Sequence, residues 1–326
     1  MSPDGEVLTS VGGRTLSLSN LEKVLYPRTG FTKGDVIRYY AEIADVLLPH
    51  LFGRPATFVR FPNGVDAKSF FSKNVPKGAP DWVRTVALAH AGRSADAEAV
   101  HYVLVNDLPT LIWAANLAAL ELHTPMWRVP TDGSTGRVDL MVFDLDPGAP
   151  AGIAECCAVA LVIREALSRA GLESVAKTSG SKGLQLYVPL TPTRPWQETH
   201  ATARELARDI ERAHPGEVVS NMRRDLRTGK VLIDWSQNNG AKTTVSPYSL
   251  RAREEPTVST PITWSEVTEG QYDKGQDNLR FDASDVLRRV AQHGDLFARL
   301  LPAMTESQPV EEDVDTSSTS ARRGRH

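Results

Sequence analysis

Of 326 residues only two are cysteines, Cys156 and Cys157. They stand side by side in the apolar stretch Cys-Cys-Ala-Val-Ala-Leu-Val-Ile, where neighbours on a helix diverge and can neither bridge nor chelate. A disulfide scaffold is excluded, and the pair reads as buried thiols in a reducing compartment. Long hydrophobic runs are missing too: none approaches the roughly 20 residues of a membrane span. The start, Met-Ser-Pro-Asp-Gly-Glu, has neither the basic nor the apolar region of a secretion signal. The expectation is a cytoplasmic, soluble protein with no membrane contact. Charge of one sign is scarce, with a net of -3, which argues against coating nucleic acid through sheer basicity. The eight histidines show no zinc spacing, and no Ser-His-Asp pattern emerges.

What is present is enough apolar residue, 41%, to bury a real core. From Met304 the chain turns acidic, then Thr/Ser-rich, ending Arg-Arg-Gly-Arg-His. Without apolar periodicity, residues 304–326 are expected to be a disordered tail. Residues 1–303 read as one catalytic unit with two lobes. Thr32 can cap a helix whose apolar positions run from Val36 to Leu51. Strands are expected at Ala56 to Phe61, Val83 to Leu88 and Val100 to Val105, and a helix from Pro109 to Leu122. Then come a strand at Val138 to Asp144, a helix at Ile153 to Arg169, a hairpin of Glu173 to Ser179 and Leu184 to Leu190, a helix at Gln197 to His214 and a strand at Lys230 to Trp235. The pattern is mixed α+β, without a repeated βαβ series.

Asp144-Leu-Asp146 ends the apolar strand Leu140-Met-Val-Phe143 and is stopped by Pro147-Gly148. Carboxylates at i and i+2 face one side of a strand, their Cα atoms about 6.6 Å apart at the strand rise, close enough for the side chains to converge. Like charges at the end of a buried strand make physical sense around a divalent cation. A strand-end turn with solvated acids is the ordinary alternative. Asp234, in Val231-Leu-Ile-Asp-Trp235, is again an acid inside an apolar strand, where an isolated charge is expensive. Three such acids suit two-metal phosphoryl transfer with Mn²⁺ or Mg²⁺.

Between them lies Lys177-Thr-Ser179-Gly-Ser-Lys182-Gly183. Its glycines let backbone N–H groups form an anion-binding concavity to which Ser179 and Lys182 add donors, though a plain polar hairpin turn fits equally when the segment is taken alone. It lacks the spacing and following helix of a Walker A loop. Gln237, Lys242 and Arg251 follow Asp234 and suit a triphosphate pocket. Upstream, Ser69-Phe70-Phe71-Ser-Lys73 puts adjacent aromatics beside a cation, which suits base stacking; core packing is the default. A basic run from Arg223 to Lys230 reads as a solvated turn. His123 is expected just after a helix.

In order along the chain, Lys23-Val-Leu-Tyr-Pro, Arg54-Pro-Ala-Thr, Phe61-Pro-Asn-Gly-Val-Asp66, Leu120-Glu-Leu-His123, Asp144-Leu-Asp146-Pro-Gly, Thr178-Ser-Gly-Ser-Lys-Gly183, Asp234-Trp-Ser-Gln-Asn and Lys242-Thr-Thr-Val-Ser-Pro-Tyr-Ser-Leu-Arg251 resemble the polymerase domain of bacterial ligase D, within the archaeo-eukaryotic primase superfamily. The resemblance spans roughly Leu16 to Leu301. It implies a primase-type fold, two αβ lobes with an RNA-recognition-like mixed sheet carrying the acids, and template-directed addition of nucleotides, ribonucleotides preferentially, at gaps or breaks in DNA. By this likeness Asp144, Asp146 and Asp234 hold two metal ions. Ser179, Lys182, Lys242 and Arg251 grip the nucleotide, with Gln237 in the same pocket and His123 beside it. Phe70 stacks on the template and Phe71 on the incoming base, with Lys73 adjacent. Lys23 and Lys33 bind a 5′-phosphate, and Arg227 organises the site around DNA. The implied partners are gapped or broken DNA, NTP or dNTP, a Ku-like end-binding protein and a separate ligase, with the chain a monomer working at the nucleoid.

Two departures stand out. No Lys-x-Asp-Gly ligase signature is present, so a stand-alone relative or an excised domain is expected. Where the family usually has Gly-Leu-His, this chain has Gly183-Leu-Gln185, and Gln185 is expected to reach a triphosphate oxygen. Two other classes compete: an Asp-x-Asp glycosyltransferase, which leaves Asp234 and the phosphate turn together unexplained, and a catalytically silent DNA-end-binding module, which has no need of three buried acids.

Overall fold

The computed structural model describes residues 6–88, 99–129, 137–272 and 279–301; the expected tail at 304–326 lies outside them. The chain opens with a hairpin, β1 (Val7–Val11) and β2 (Arg14–Leu18), and a short pair, β3 (Val24–Tyr26) and β4 (Phe31–Thr32). Helices α1 (Lys33–Glu42) and α2 (Ala44–Leu51) follow, then β5 (Pro55–Arg60), β6 (Phe70–Ser72), β7 (Thr85–Leu88), β8 (Val100–Leu104), α3 (Leu108–Asn116) and β9 (Ala119–Thr124). The next stretch is β10 (Arg137–Pro147), α4 (Ile153–Arg169), β11 (Val175–Thr178), β12 (Leu184–Pro195), α5 (Trp196–Ala213), β13 (Val218–Val219) and β14 (Val231–Asp234). Last come β15 (Thr244–Val245), β16 (Pro261–Ile262), α6 (Trp264–Gly270) and α7 (Ala283–His293).

Two six-stranded sheets result. One runs β15-β9-β5-β8-β7 with β6 also on β5; the other runs β13-β14-β10-β12-β11-β16. Each is packed on its own hydrophobic core, the layered arrangement expected of two αβ lobes. In the second lobe, α4 buries Cys156, Cys157, Val159, Ala160, Ile163 and Leu167 at helical spacing, so both thiols are buried, as expected. A charge cluster ties the lobes together: Arg54 at the head of β5 makes paired hydrogen bonds of 2.8 and 2.6 Å to Asp139 of β10. The planar guanidinium suits such bidentate pairing.

Two sequence expectations are corrected. The helix begun by the Thr32/Asp35 capping box breaks at Ile43, whose carbonyl starts a fresh ladder by accepting from Val46 and Leu47. The helix expected from Pro109 to Leu122 ends at Asn116; Ala118 takes a positive φ of 55°, and Ala119–Thr124 becomes β9. Its pairing with β5 overrides a helix-compatible composition, as tertiary contacts commonly do. His123 therefore sits on a strand, paired with Thr57.

Candidate active site

Asp144 lies on β10 between two antiparallel neighbours, with Asp234 of β14 as its partner on one side and Gln185 of β12 on the other. Directly opposed side chains on a sheet stand about 4.5–5.5 Å apart at Cβ. Asp146 is two residues on and so on the same face, exposed at the strand end, while Leu145 between them is fully buried. Burial, and then the neighbouring charge of Asp146, push the Asp144 carboxyl up to about 7, with Gln185 partly offsetting the rise. Asp146 is raised as well, by partial desolvation where it meets the cleft and by Asp234, with Arg227 opposing. Two repelling carboxylates offering only oxygen fit a hard divalent cation. Asp234 commits its oxygens locally: Oδ1 accepts from the Ser236 N–H at 2.9 Å and Oδ2 from the Gln237 amide at 2.9 Å. Among the described residues, no three carboxylate, imidazole or thiol groups form a ready metal-holding cluster. Asp144 instead keeps the Gln185 side chain as its hydrogen-bonding neighbour.

The turn from β11 to β12 forms the next wall. Ser179 Oγ accepts from the backbone N–H groups of Ser181 and Gly183, each at 3.2 Å, which coils the turn around its own hydroxyl. Gly183 is required by space: a Cβ there would lie 1.9 Å from the Leu145 carbonyl oxygen. The turn therefore rests flush on the end of β10, beside the acids. Lys182 is exposed at its tip.

A third wall comes from β9. Glu121 bonds the His123 ring at 2.9 Å and accepts from Arg251 Nε at 3.0 Å and the Ala252 N–H at 3.0 Å. Burial alone would raise this carboxyl; His123, Arg251 and the Ala252 N–H outweigh it and hold Glu121 down at about 2. Arg251 also donates to the Ser179 carbonyl, clamping the β9 wall to the turn. The cleft so enclosed has a volume of about 280 Å³ and is lined by Asp144, Asp146, Gln185, His123, Arg251 and the turn, with Gln237 at its edge. Lys242 stands just outside, donating to Ser236 Oγ.

The model of the LigD primase-polymerase domain matches residues 32–297. The multifunctional non-homologous end joining protein LigD of Mycolicibacterium smegmatis is 43% identical over 283 residues, 87% of this chain and 36% of that protein. That of Mycobacterium tuberculosis H37Rv is 42% identical over 296 residues, 89% and 38%. A solved structure titled as the polymerase domain of Mycobacterium tuberculosis ligase D in complex with DNA superposes with a TM-score of 0.81 at 42% identity, covering 87% of this chain and 97% of that one. The chain belongs to the LigD primase-polymerase domain family. It spans well under half the length of these full-length relatives.

Other residues expected from the LigD-like sequence motifs are not part of the cleft lining. Phe70 and Phe71 on β6 are both exposed, at 44% and 70%, and the Arg60 guanidinium lies 5.1 Å over the Phe70 ring. Lys73 follows them, half-buried. Lys33, the first residue of α1, is buried and donates to the Ser19 carbonyl at 2.6 Å; burial and then nearby Lys23 pull its amine down to about 8. Lys23 is exposed and bonded to Asn63 Oδ1 at 2.9 Å. Arg227, in the run first read as a solvated turn, packs its backbone against Gly148, where a Cβ would meet its carbonyl at 1.9 Å. That places it close behind Asp146.

Sequence reasoning passed over two residues of this LigD-type site. Glu121 was legible as a motif letter but not as the anchor of His123 and Arg251; its place two residues from His123 on a strand, hence on the same face, was the available signal. Lys177 is fully buried on β11, in the same cross-strand row as Asp144 with Gln185 between them, and no local pattern marks a lysine as buried.

Proposed function

We propose that this chain is a template-directed nucleotidyltransferase that adds nucleotides, ribonucleotides preferentially, to a primer end at short gaps or breaks in DNA, in end-joining repair. One observation carries the reading: the register that sets Asp144 opposite Asp234 with Asp146 on the same face, at the floor of a cleft whose wall is a backbone-rich turn with Lys182. In this reading residues 1–303 are the catalytic unit, 304–326 a tail, and Asp144, Asp146 and Asp234 hold two divalent ions, Mn²⁺ or Mg²⁺. Bound there, the ions would neutralise phosphate charge and lower the pKa of the attacking hydroxyl.

The chain's own groups do the rest. The turn N–H groups, Ser179, Lys182 and Arg251 hold the triphosphate, whose anionic oxygens suit fixed backbone donors and a guanidinium fork. His123, fixed by Glu121, and Gln237 and Lys242 orient the nucleotide, so that positioning supplies much of the rate. Exposed Phe70 and Phe71, with Lys73, offer stacking surfaces to template and incoming base. Lys23 and Lys33 take a 5′-phosphate across the gap, and Arg227 steadies the acids when DNA is present. The partners are gapped DNA and nucleoside triphosphates, with a Ku-like protein recruiting the monomeric chain and a separate ligase sealing the product. The working compartment is the cytoplasm, at the nucleoid; no helix among the described residues is long and apolar enough to cross a membrane.

The test is incorporation opposite each of the four template bases in a 5′-phosphorylated one-nucleotide gap with Mn²⁺. Addition of the complementary nucleotide alone supports the reading; template-independent addition, or none, overturns it.

A further inference from the structure

Strand register places four polar residues in one row across the second sheet. Lys177 pairs with Gln185, Gln185 with Asp144, and Asp144 with Asp234. Cross-strand partners point to the same face, so the row runs from a lysine through an amide to two carboxylates. Lys177 is 0% exposed and Gln185 4%. Lys177 Nζ donates to Gln185 Oε1 at 2.6 Å and also to Ser259 Oγ. Tyr187 Oη donates to the same Gln185 oxygen at 3.2 Å and meets Thr244 Oγ1 at 2.8 Å.

Gln185 Oε1 therefore has two donors. An amide whose oxygen is so engaged has only its NH₂ end left to turn elsewhere, and the cross-strand neighbour on its other side is Asp144. A buried ammonium is expensive unless its charge is used. Burial and then Arg251 accordingly pull the Lys177 amine well below its usual range, with Asp144 opposing, and charged or neutral its N–H still donates to the Gln185 oxygen.

We propose that Lys177 and Gln185 form a positioning relay for Asp144, in which the buried lysine's hydrogen bond fixes the flip of the Gln185 amide and that amide holds the carboxylate toward the cleft. The inference rests on the metal-site reading of Asp144 above. It replaces the expectation that Gln185 contacts a triphosphate oxygen. Hydrogen-bond partners behind a metal ligand fix its orientation and tune its affinity, and their loss characteristically weakens binding without removing a ligand.

The experiment measures Mn²⁺ affinity from the free-ion electron paramagnetic resonance signal, without DNA or nucleotide, for wild type, Asp144→Asn, Gln185→Met, Lys177→Met and the double Met variant. Gln185→Met and Lys177→Met should each weaken Mn²⁺ binding about tenfold. The double variant should be little worse than either, since the two act as a unit. Nucleotide KM at saturating Mn²⁺ should stay within about twofold of wild type. Gln185→His should restore the affinity, because an imidazole can accept from Lys177 on one nitrogen and donate to Asp144 from the other. Unchanged Mn²⁺ affinity in Gln185→Met overturns the relay, as does a raised nucleotide KM with Mn²⁺ affinity intact, which would mark a direct phosphate contact. If Lys177→Met does not fold, Gln185→Met and Gln185→His decide alone. If wild type and Asp144→Asn bind Mn²⁺ alike, the metal-site reading fails first and the relay falls with it, a result distinct from a wild-type site that Gln185→Met leaves unaltered.

Discussion

Asp144 and Asp234 are directly opposed cross-strand partners on β10 and β14, two carboxylates far apart in sequence and adjacent in the sheet. Like charges so opposed destabilise a sheet, and burial adds to the cost at Asp144. Asp144→Asn should therefore keep or raise the melting temperature in the presence of a chelator. Adding Mn²⁺ should then raise Tm for wild type by mass action and leave Asp144→Asn nearly unmoved. Thermal melts of both proteins, with chelator and with Mn²⁺, check this; a variant that melts well below wild type in chelator would show that Asp144 serves the fold.

Glu121 supplies the pH dependence. Its carboxyl is held at about 2, against 4.5 ordinarily, so the folded chain binds this proton more weakly than the unfolded chain. The stabilisation is fully present above pH 4.5 and lost as pH falls toward 2. Urea denaturation between those limits should show wild type losing stability more steeply than Glu121→Gln. At neutral pH the same variant should raise nucleotide KM, since His123 and Arg251 lose their shared anchor.

At Gly183 there is no room for a methyl group, because the Leu145 carbonyl oxygen occupies its place. Gly183→Ala should cost about 1–3 kcal/mol of stability by lifting the phosphate turn off β10. Nucleotide affinity should fall with it. A urea midpoint equal to that of wild type would show that the turn yields freely.

Lys33 and Phe71 test the DNA face. With its amine near 8, Lys33 is a cation below that pH and loses charge above it. Preference for a 5′-phosphate gap over a 5′-hydroxyl gap should therefore shrink as pH rises through about 8, and Lys33→Ala should abolish the preference at all pH values. Phe71→Ala should weaken gapped-DNA binding by about 1–3 kcal/mol without moving Tm. Fluorescence anisotropy with matched gaps measures both.

Much of this site was legible in the sequence because its chemistry is local. Asp144-Leu-Asp146 declares its shared face through strand alternation, and the glycines of Ser179–Gly183 announce a tight turn. The bounds of α4 were readable from its buried periodicity. Partnership between distant segments was not legible: β9 reads as the end of a helix until β5 pairs with it, and Glu121 gains its role only when Arg251 arrives from the far end of the chain. Gln185 shows the same limit. Its place beside the phosphate turn was readable, but the direction of its amide depends on Lys177 and Tyr187, and Lys177 is buried for reasons no neighbouring residue reveals.

The most direct test of the carboxylate row is single-turnover addition of one nucleotide to a 5′-phosphorylated gap, with Mn²⁺, by wild type, Asp144→Asn, Asp146→Asn and Asp234→Asn. Each folded variant is expected to lose at least about a thousandfold in rate, the scale of removing electrostatic stabilisation from a phosphoryl-transfer transition state, while binding gapped DNA as wild type does. Near-wild-type addition by any one of the three, with its fold intact, would contradict the assignment of that carboxylate to the reaction.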